Sequence, residues 1–201
     1  MRVFIGLDIP EAIRSRISQF SEGLRGFAPD ARWVGPETFH ITLKFIGKQS
    51  AQDVERIKDV LRSIKAAPLE VSFRGYGIFP NPKSARVFWV GIHADERLSG
   101  LAASVDAATS QLGIPREQNA FLPHLTLARA RGASGSPHQR FGGTKSSGGS
   151  RSPFARAIER LEGLAEPEFG TMTATEFFLY ESKLSPKGAQ YAKLERFALN
   201  G

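Results

Sequence analysis

Phe39-His40-Ile41-Thr42-Leu43-Lys44-Phe45 and Pro123-His124-Leu125-Thr126-Leu127-Ala128-Arg129 are the two stretches around which this sequence is organised. Both read His-apolar-Thr-Leu, and together they use two of the chain's four histidines. Side chains along a strand alternate between faces. In the first copy His40 and Thr42 therefore point one way, and Ile41, Leu43 and Phe45 the other. In the second, His124 and Thr126 oppose Leu125 and Leu127. Each copy presents an imidazole beside a hydroxyl on a strand whose far face is buried. One such triplet is readily a polar pair on a half-exposed strand; two with the same apolar framing point to a shared site.

Upstream of the first copy, Val3, Ile5 and Leu7 alternate, predicting a strand over 3–8. Ile9, Ile13, Ile17, Phe20 and Leu24 then recur at helical spacing, with Pro10 near the helix start and Gly23 and Gly26 closing it. Gly47 ends the first histidine strand. Ser50 with Asp53 three residues on resembles a capping box, opening a helix whose buried stripe is Val54, Ile57, Leu61 and Ile64, with Pro68 after it. Leu69, Val71 and Phe73 alternate as a strand, and Gly75, Gly77, Pro80, Asn81 and Pro82 predict a long turn. Residues 86–92 form a near-continuous β segment. Leu98, Leu101, Val105, Ala108 and Leu112 mark a third helix, ended by Gly113 and Pro115. The second histidine strand covers about 121–129.

Residues 131–153 break the pattern: they are rich in Gly and Ser and carry Arg and Lys but no acid, which predicts a flexible basic loop. Ser152 and Pro153 then cap a fourth helix with Phe154, Ile158 and Leu161 inward. Two closing strands are expected over 172–184 and 190–199, joined through Ser185-Pro186-Lys187-Gly188.

The two halves have the same order: strand, helix, histidine strand, helix, strand, with one strand more in the second. The histidines lie 84 residues apart and occupy the same place in each unit. An internal duplication of this kind predicts an α+β protein. It would have two pseudo-symmetric lobes of antiparallel sheet with helices on the outer faces. Residues 1–201 read as a single domain with lobes of roughly 1–85 and 86–201. A two-fold-like pairing of the lobes would bring the histidine strands together across one cleft.

Composition narrows the chemistry. The net charge of +7 and pI of about 10.0 favour an anionic partner such as nucleic acid or a phosphorylated ligand. With no cysteine, disulfides, thiolate metal sites and Cys nucleophiles are excluded. The first residues are interrupted too soon for a signal-peptide core, and no apolar run approaches a membrane span, so a cytoplasmic chain is expected. No Gly-x-x-x-x-Gly-Lys-Ser/Thr run is present, so nucleotide-triphosphate use is not implied.

A neutral imidazole takes a proton and an imidazolium gives one, and an unperturbed pKa of about 6.5 allows both near neutrality. Two of them flanking one substrate make an acid–base pair. Neighbouring Thr hydroxyls can hydrogen-bond non-bridging phosphate oxygens. Displacement at phosphorus needs this set: activation of the attacking oxygen, protonation of the leaving one, and a hold on the charged equatorial oxygens. Two histidines without a carboxylate ligand under-coordinate a metal, so no metal and no cofactor are expected.

These motifs resemble the two-histidine phosphoesterase superfamily, and within it the LigT-like RNA 2′,3′-cyclic phosphodiesterases, also called 2′-5′ RNA ligase-like proteins. The likeness includes Phe4-Ile5-Gly6-Leu7, Trp33-Val34, the run His40 to Gly47, Phe79-Pro80, Arg86-Val87 with Trp89, and Pro123 to Arg129. It ends in Glu181-Ser182, Leu184-Ser185-Pro186, Gly188-Ala189 and Tyr191. The Gly/Ser-rich loop after Arg129 is longer than the family leads one to expect. The resemblance implies hydrolysis of an RNA 2′,3′-cyclic phosphate to a 2′-phosphate, with His40 as proton donor and His124 as proton acceptor. Thr42 and Thr126 would hold phosphate oxygens and Arg129 would add an anion contact. The implied partners are RNA 3′ ends or small cyclic nucleotides, with no membrane and no obligate protein partner. Phe39 and Phe121 can stack a base but read first as core, as do Trp33 and Trp89; His93 and His138 read as surface or loop residues.

Three other activities fit the same residues. The site can run in reverse and join RNA halves through a 2′-5′ linkage. It can grip an RNA-end phosphate without turnover. It can act on a small nucleotide or cyclic metabolite.

Overall fold

The computed structural model describes residues 1–81, 84–132, 152–185 and 188–201. Its order is β1 (Arg2–Leu7), α1 (Glu11–Arg25), β2 (Arg32–Trp33), a 3-10 turn (Pro36–Thr38), β3 (Ile41–Lys48), α2 (Ala51–Arg62) and β4 (Leu69–Phe79). It continues with β5 (Val87–Ala94), α3 (Glu96–Ser110), β6 (His124–Arg129), α4 (Ala155–Leu161), β7 (Glu168–Ala174), β8 (Glu176–Ser185) and β9 (Gly188–Ala198). The strands form two antiparallel sheets, ordered β3-β1-β8-β9 and β2-β6-β5-β4-β7. With four helices, this is the expected two-lobed α+β architecture.

The helices form where apolar spacing and caps agree. Ser50 Oγ accepts the backbone N–H of Asp53 at 3.1 Å, so α2 begins on the cap read from the sequence, and Val54, Ile57 and Leu61 are buried. Asp95 caps α3 in the same way through Arg97 N–H at 2.9 Å. Ile13, Ile17 and Leu24 of α1, Leu98, Leu101 and Val105 of α3, and Leu161 of α4 join Ile5, Ile41, Val90 and Leu125 of the sheets in one continuous core.

Several boundaries differ from the sequence reading. The two sheets do not divide the chain near residue 85: β4 from the first half sits beside β5, and β8 from the second half sits beside β1. Each sheet thus takes its third strand from the other half, giving β3-β1-β8 in one lobe and β6-β5-β4 in the other. Gly75 and Gly77 lie inside β4 rather than in a turn; Gly75 adopts φ 70° at a register irregularity between Phe73 and Tyr76. Gly77 is required where it is, because a methyl group there would overlap the Trp89 indole. Gly23 lies within α1, and three strands, not two, close the chain. The bulk of the expected basic loop, with His138, lies outside the described residues, as does part of the β8–β9 turn.

A matched pair of register slips reshapes the histidine strands. The β1–β3 register slips between Ile5 and Gly6, leaving Leu43 as the extra residue, and the β5–β6 register slips between Phe88 and Trp89, leaving Leu127 extra. Strict alternation therefore ends at each Leu. Beyond it Lys44 turns inward, with a relative exposure of 2%, and Phe45 turns outward at 41%. This corrects the expectation that Phe45 shares the buried face of Ile41 and Leu43. His40 precedes β3, and His124 is the first residue of β6.

Candidate active site

The two histidines are held by the same local device. His40 Nδ1 donates to the carbonyl of Thr38 at 2.7 Å, and His124 Nδ1 donates to the carbonyl of Leu122 at 2.7 Å. A carbonyl oxygen only accepts, so Nδ1 carries the proton in each ring and Nε2 is the nitrogen left to exchange protons. In the neutral His40 ring, Nε2 accepts from the Thr42 hydroxyl at 2.9 Å. The adjacency of imidazole and hydroxyl read from the sequence is thus present on the first strand.

Aromatic side chains fix the planes of both rings. Phe4 lies 4.7 Å from His40 between centroids, and Tyr191 meets it edge-on at 5.1 Å. Phe79 meets His124 edge-on at 5.1 Å, with Trp89 6.3 Å away. Trp89 is therefore a wall of the site rather than core, whereas Trp33 packs against Phe88 and the core as expected. Gly6 keeps β1 close to β3 beside the His40 ring: a Cβ there would lie 2.6 Å from the Ile41 carbonyl oxygen. Phe39 is buried, and Phe121 packs partly on the core.

β3 and β6 belong to different sheets yet approach each other. The electrostatics carry that approach to the side chains. Burial is the main reason the His40 pKa is pushed down from 6.5 to about 4; the Thr38 carbonyl works against it, Arg129 and His124 push it lower, and Asp8 raises it. His40 thus feels both His124 and Arg129 across the cleft. Burial also lowers the pKa of Arg129 and raises that of Tyr191, with the two groups partly offsetting each other. His40, His124, Arg129 and Tyr191 therefore line one electrostatic environment. Thr42 and Thr126 are both half-buried on their strands, Thr126 directly opposite Trp89.

The site has two recesses. One, of about 240 Å³, is bounded by Thr42, Phe45, Phe121, Leu122 and His124. The other, of about 360 Å³, lies against His40 and is lined by Asp8, Arg14, Thr38, Tyr180, Tyr191 and Lys193. Within it Asp8 pairs with Arg14 at 2.8 Å and with Lys193 at 2.5 Å. Burial pulls the Asp8 pKa up, but Lys193, the Ile9 N–H and Arg14 together hold it below the usual carboxylate value.

Sequence reasoning missed this second layer. Asp8 follows directly on β1, and Tyr180 and Tyr191 come from β8 and β9, which only the strand exchange brings beside His40. It also missed Lys44. The slip at Leu43 drives that ammonium inward to pair with Asp106 of α3 and to donate to the Pro115 carbonyl at 2.9 Å. Asp106 in turn accepts the Glu117 N–H at 3.1 Å. Burial opposes ionisation of Asp106, but Lys44 and the Glu117 N–H outweigh it and hold the carboxyl below its usual pKa. The first histidine strand thereby grips the segment that leads into His124. No mark in the sequence separates this lysine from a solvent-facing one. Among the described residues, no three His, Cys, Asp or Glu side chains gather as a metal-binding group, and no helix is long and apolar enough to cross a membrane.

Comparison with known proteins agrees with this fold. Residues 7–89 match the family model described as LigT like Phosphoesterase. Over 201 residues the chain is 32% identical to an RNA 2′,3′-cyclic phosphodiesterase of Methanothermobacter thermautotrophicus, covering 99% of each chain. It is 32% identical over 197 residues to a relative of the same name from Archaeoglobus fulgidus, covering 98% of this chain and 99% of the other. A crystal structure from Thermus thermophilus superposes with a TM-score of 0.76 at 26% identity, covering 100% of this chain and 99% of that one. Escherichia coli LigT complexed with 3′-AMP shares the fold, with a TM-score of 0.73 at 23% identity and coverage of 100% and 98%. Full-length kinship to these phosphodiesterases, on a fold that sets two His-x-Thr strands face to face, makes this chain a member of the LigT-like family of two-histidine phosphoesterases.

Proposed function

We propose that this protein hydrolyses the 2′,3′-cyclic phosphate at RNA 3′ ends to a 2′-phosphomonoester by acid–base catalysis between its two histidines. The observation that carries the reading is the matched anchoring of His40 and His124. Both use Nδ1 on a carbonyl two residues back, so in each ring proton exchange falls to Nε2. The relatives' activity supplies the substrate class.

The chemistry divides between the two rings. His124 Nε2 takes a proton from water as the water oxygen attacks phosphorus. The bond from phosphorus to the 3′ oxygen breaks, and that oxygen takes a proton from His40 Nε2. The phosphate stays on the 2′ oxygen, and the two rings return to their starting states by exchanging one proton with solvent. Thr42, Thr126 and Arg129 hold the non-bridging oxygens as negative charge builds on them. The apolar recess beside Thr42 and His124 has room for a nucleobase, which suits nucleotide substrates. No step requires a metal ion.

The assignment of His40 as donor follows the family. In the free protein, burial keeps that ring neutral at neutral pH. The proton it donates is therefore taken up as the anionic phosphate arrives, since a negative charge beside an imidazolium favours the charged form. Incubation with a nucleoside 2′,3′-cyclic phosphate in chelator, followed by identification of the product, tests the reading. A 2′-phosphate is expected. A 3′-phosphate product, or turnover that survives in His40→Ala or His124→Ala, would sink it.

A further inference from the structure

The cleft face of the second sheet carries a further arginine, Arg32, that hydrolysis of a mononucleotide does not use. β2 is only two residues long, and its pairing with β6 places Arg32 directly opposite Arg129 and Trp33 opposite Ala128. Directly opposed residues share a face of the sheet. Trp33 and Ala128 face the core, so Arg32 and Arg129 face the cleft. Like charges directly opposite each other destabilise a sheet. Arg32 is exposed and forms no ion pair with any described carboxylate. Arg131, exposed two residues past Arg129, extends the row along the chain.

The row begins at the reactive centre. Arg129 lies four ladder positions along β6 from His124, about 13 Å at strand rise, and β2 lies about 5 Å further out as the edge strand. A polyanion leaving the histidine pair by this side would meet Arg129 first and Arg32 next. A planar guanidinium with several donors suits phosphodiester oxygens.

We propose that Arg32 extends the Arg129 contact at the reacting phosphate into a guanidinium row and binds the phosphodiester backbone leading into the reacting end. The ligand is then single-stranded RNA of at least two nucleotides rather than a free cyclic mononucleotide. The proposal rests on the reading of the histidine pair as acting on RNA ends, and it selects the polymer over the monomer within that reading. Arg32 is a binding residue for the upstream chain and takes no part in the proton transfers.

Two measurements on the full chain test it. The first compares kcat/KM on a short oligonucleotide ending in a 2′,3′-cyclic phosphate with that on the matching nucleoside 2′,3′-cyclic phosphate. The native protein should prefer the oligonucleotide, and Arg32→Gln should lower kcat/KM on it by about tenfold, through KM, so that the preference collapses towards one. Arg32→Lys should retain most of the preference, and Arg56→Gln, a charge change of the same kind on α2, should keep it whole. The second measurement is binding of a 2′-phosphate-terminated oligonucleotide across a salt series. Arg32→Gln should flatten the slope of log K against log salt by about 0.7, the loss of one single-strand phosphate contact. An equal loss on both substrates, an unchanged preference, or an unchanged salt slope would each overturn the proposal. If the native protein turns over neither substrate, the hydrolytic reading fails, and the salt slope still decides the arginine row because binding needs no turnover.

Discussion

The two histidine strands are alike up to one residue and diverge after it. His40-Ile41-Thr42-Leu43 and His124-Leu125-Thr126-Leu127 share the Nδ1 anchor, and in both the extra residue in the ladder is the Leu after Thr. Past that slip the first strand turns Lys44 into the core and Phe45 into the cleft. The second turns Ala128 inward and Arg129 towards His40. One lobe therefore supplies an apolar edge to the site and the other a cationic one. The duplicated part sets the pair of anchored histidines, and the unmatched part gives the two sides of the cleft different chemistry.

The largest effect is expected at the matched positions. His40→Ala and His124→Ala should each lower kcat by about 10²–10⁴, measured on a nucleoside 2′,3′-cyclic phosphate. A substrate with sulfur in place of the 3′ oxygen separates their roles, because a thiolate leaves without a proton. Activity on it should return in His40→Ala and stay lost in His124→Ala. The reverse pattern would exchange the two roles.

Lys44 tests the first unmatched position. Lys44→Met leaves Asp106 without its partner and should cost about 3 kcal/mol of stability in denaturant unfolding. Adding Asp106→Leu should return most of that loss, since an apolar pair replaces the ion pair. A single variant as stable as the native protein would mean the pair contributes little. The hydroxyls come next. Thr42→Val and Thr126→Val should each lower kcat/KM by about tenfold, the worth of one hydrogen bond to a charged oxygen.

The smallest effect is on the pH dependence of stability. The folded-state pKa of His40, about 4, lies below its unfolded value of 6.5. Its contribution is therefore fully present above pH 6.5 and is lost as pH falls towards 4, where the unfolded chain takes up the proton first. Unfolding free energy should drop over that window by on the order of 1 kcal/mol for this half-buried ring. His40→Asn should remove that part of the slope, and an identical slope in the variant would mean another group titrates there.

The residue pattern announces the local parts of this structure and hides the long-range ones. The helix stripes, the Ser50 cap and the buried faces of Ile41 and Leu125 follow from spacing, because each depends on neighbours within a turn or a strand. The slips at Leu43 and Leu127 do not, because a one-residue register shift depends on the partner strand. That is why Lys44 and Phe45 change places relative to simple alternation. The Asp8, Tyr180 and Tyr191 layer stays hidden for the same reason: it exists only after β8 and β9 cross to the sheet of β1. Of the site, the histidines and threonines are visible as a repeated word. The aromatic walls and the opposed arginines depend on pairings that no single stretch encodes.

The exchanged third strands bear on how such a molecule arose. A protein equal to one half would have an open slot beside its first strand and a spare strand with no slot of its own. Two copies clasping each other would fill both slots and bring one histidine from each into a common crevice. Fusing the copies end to end would keep that embrace inside a single chain, after which each half was free to change its own residue beyond the shared Leu.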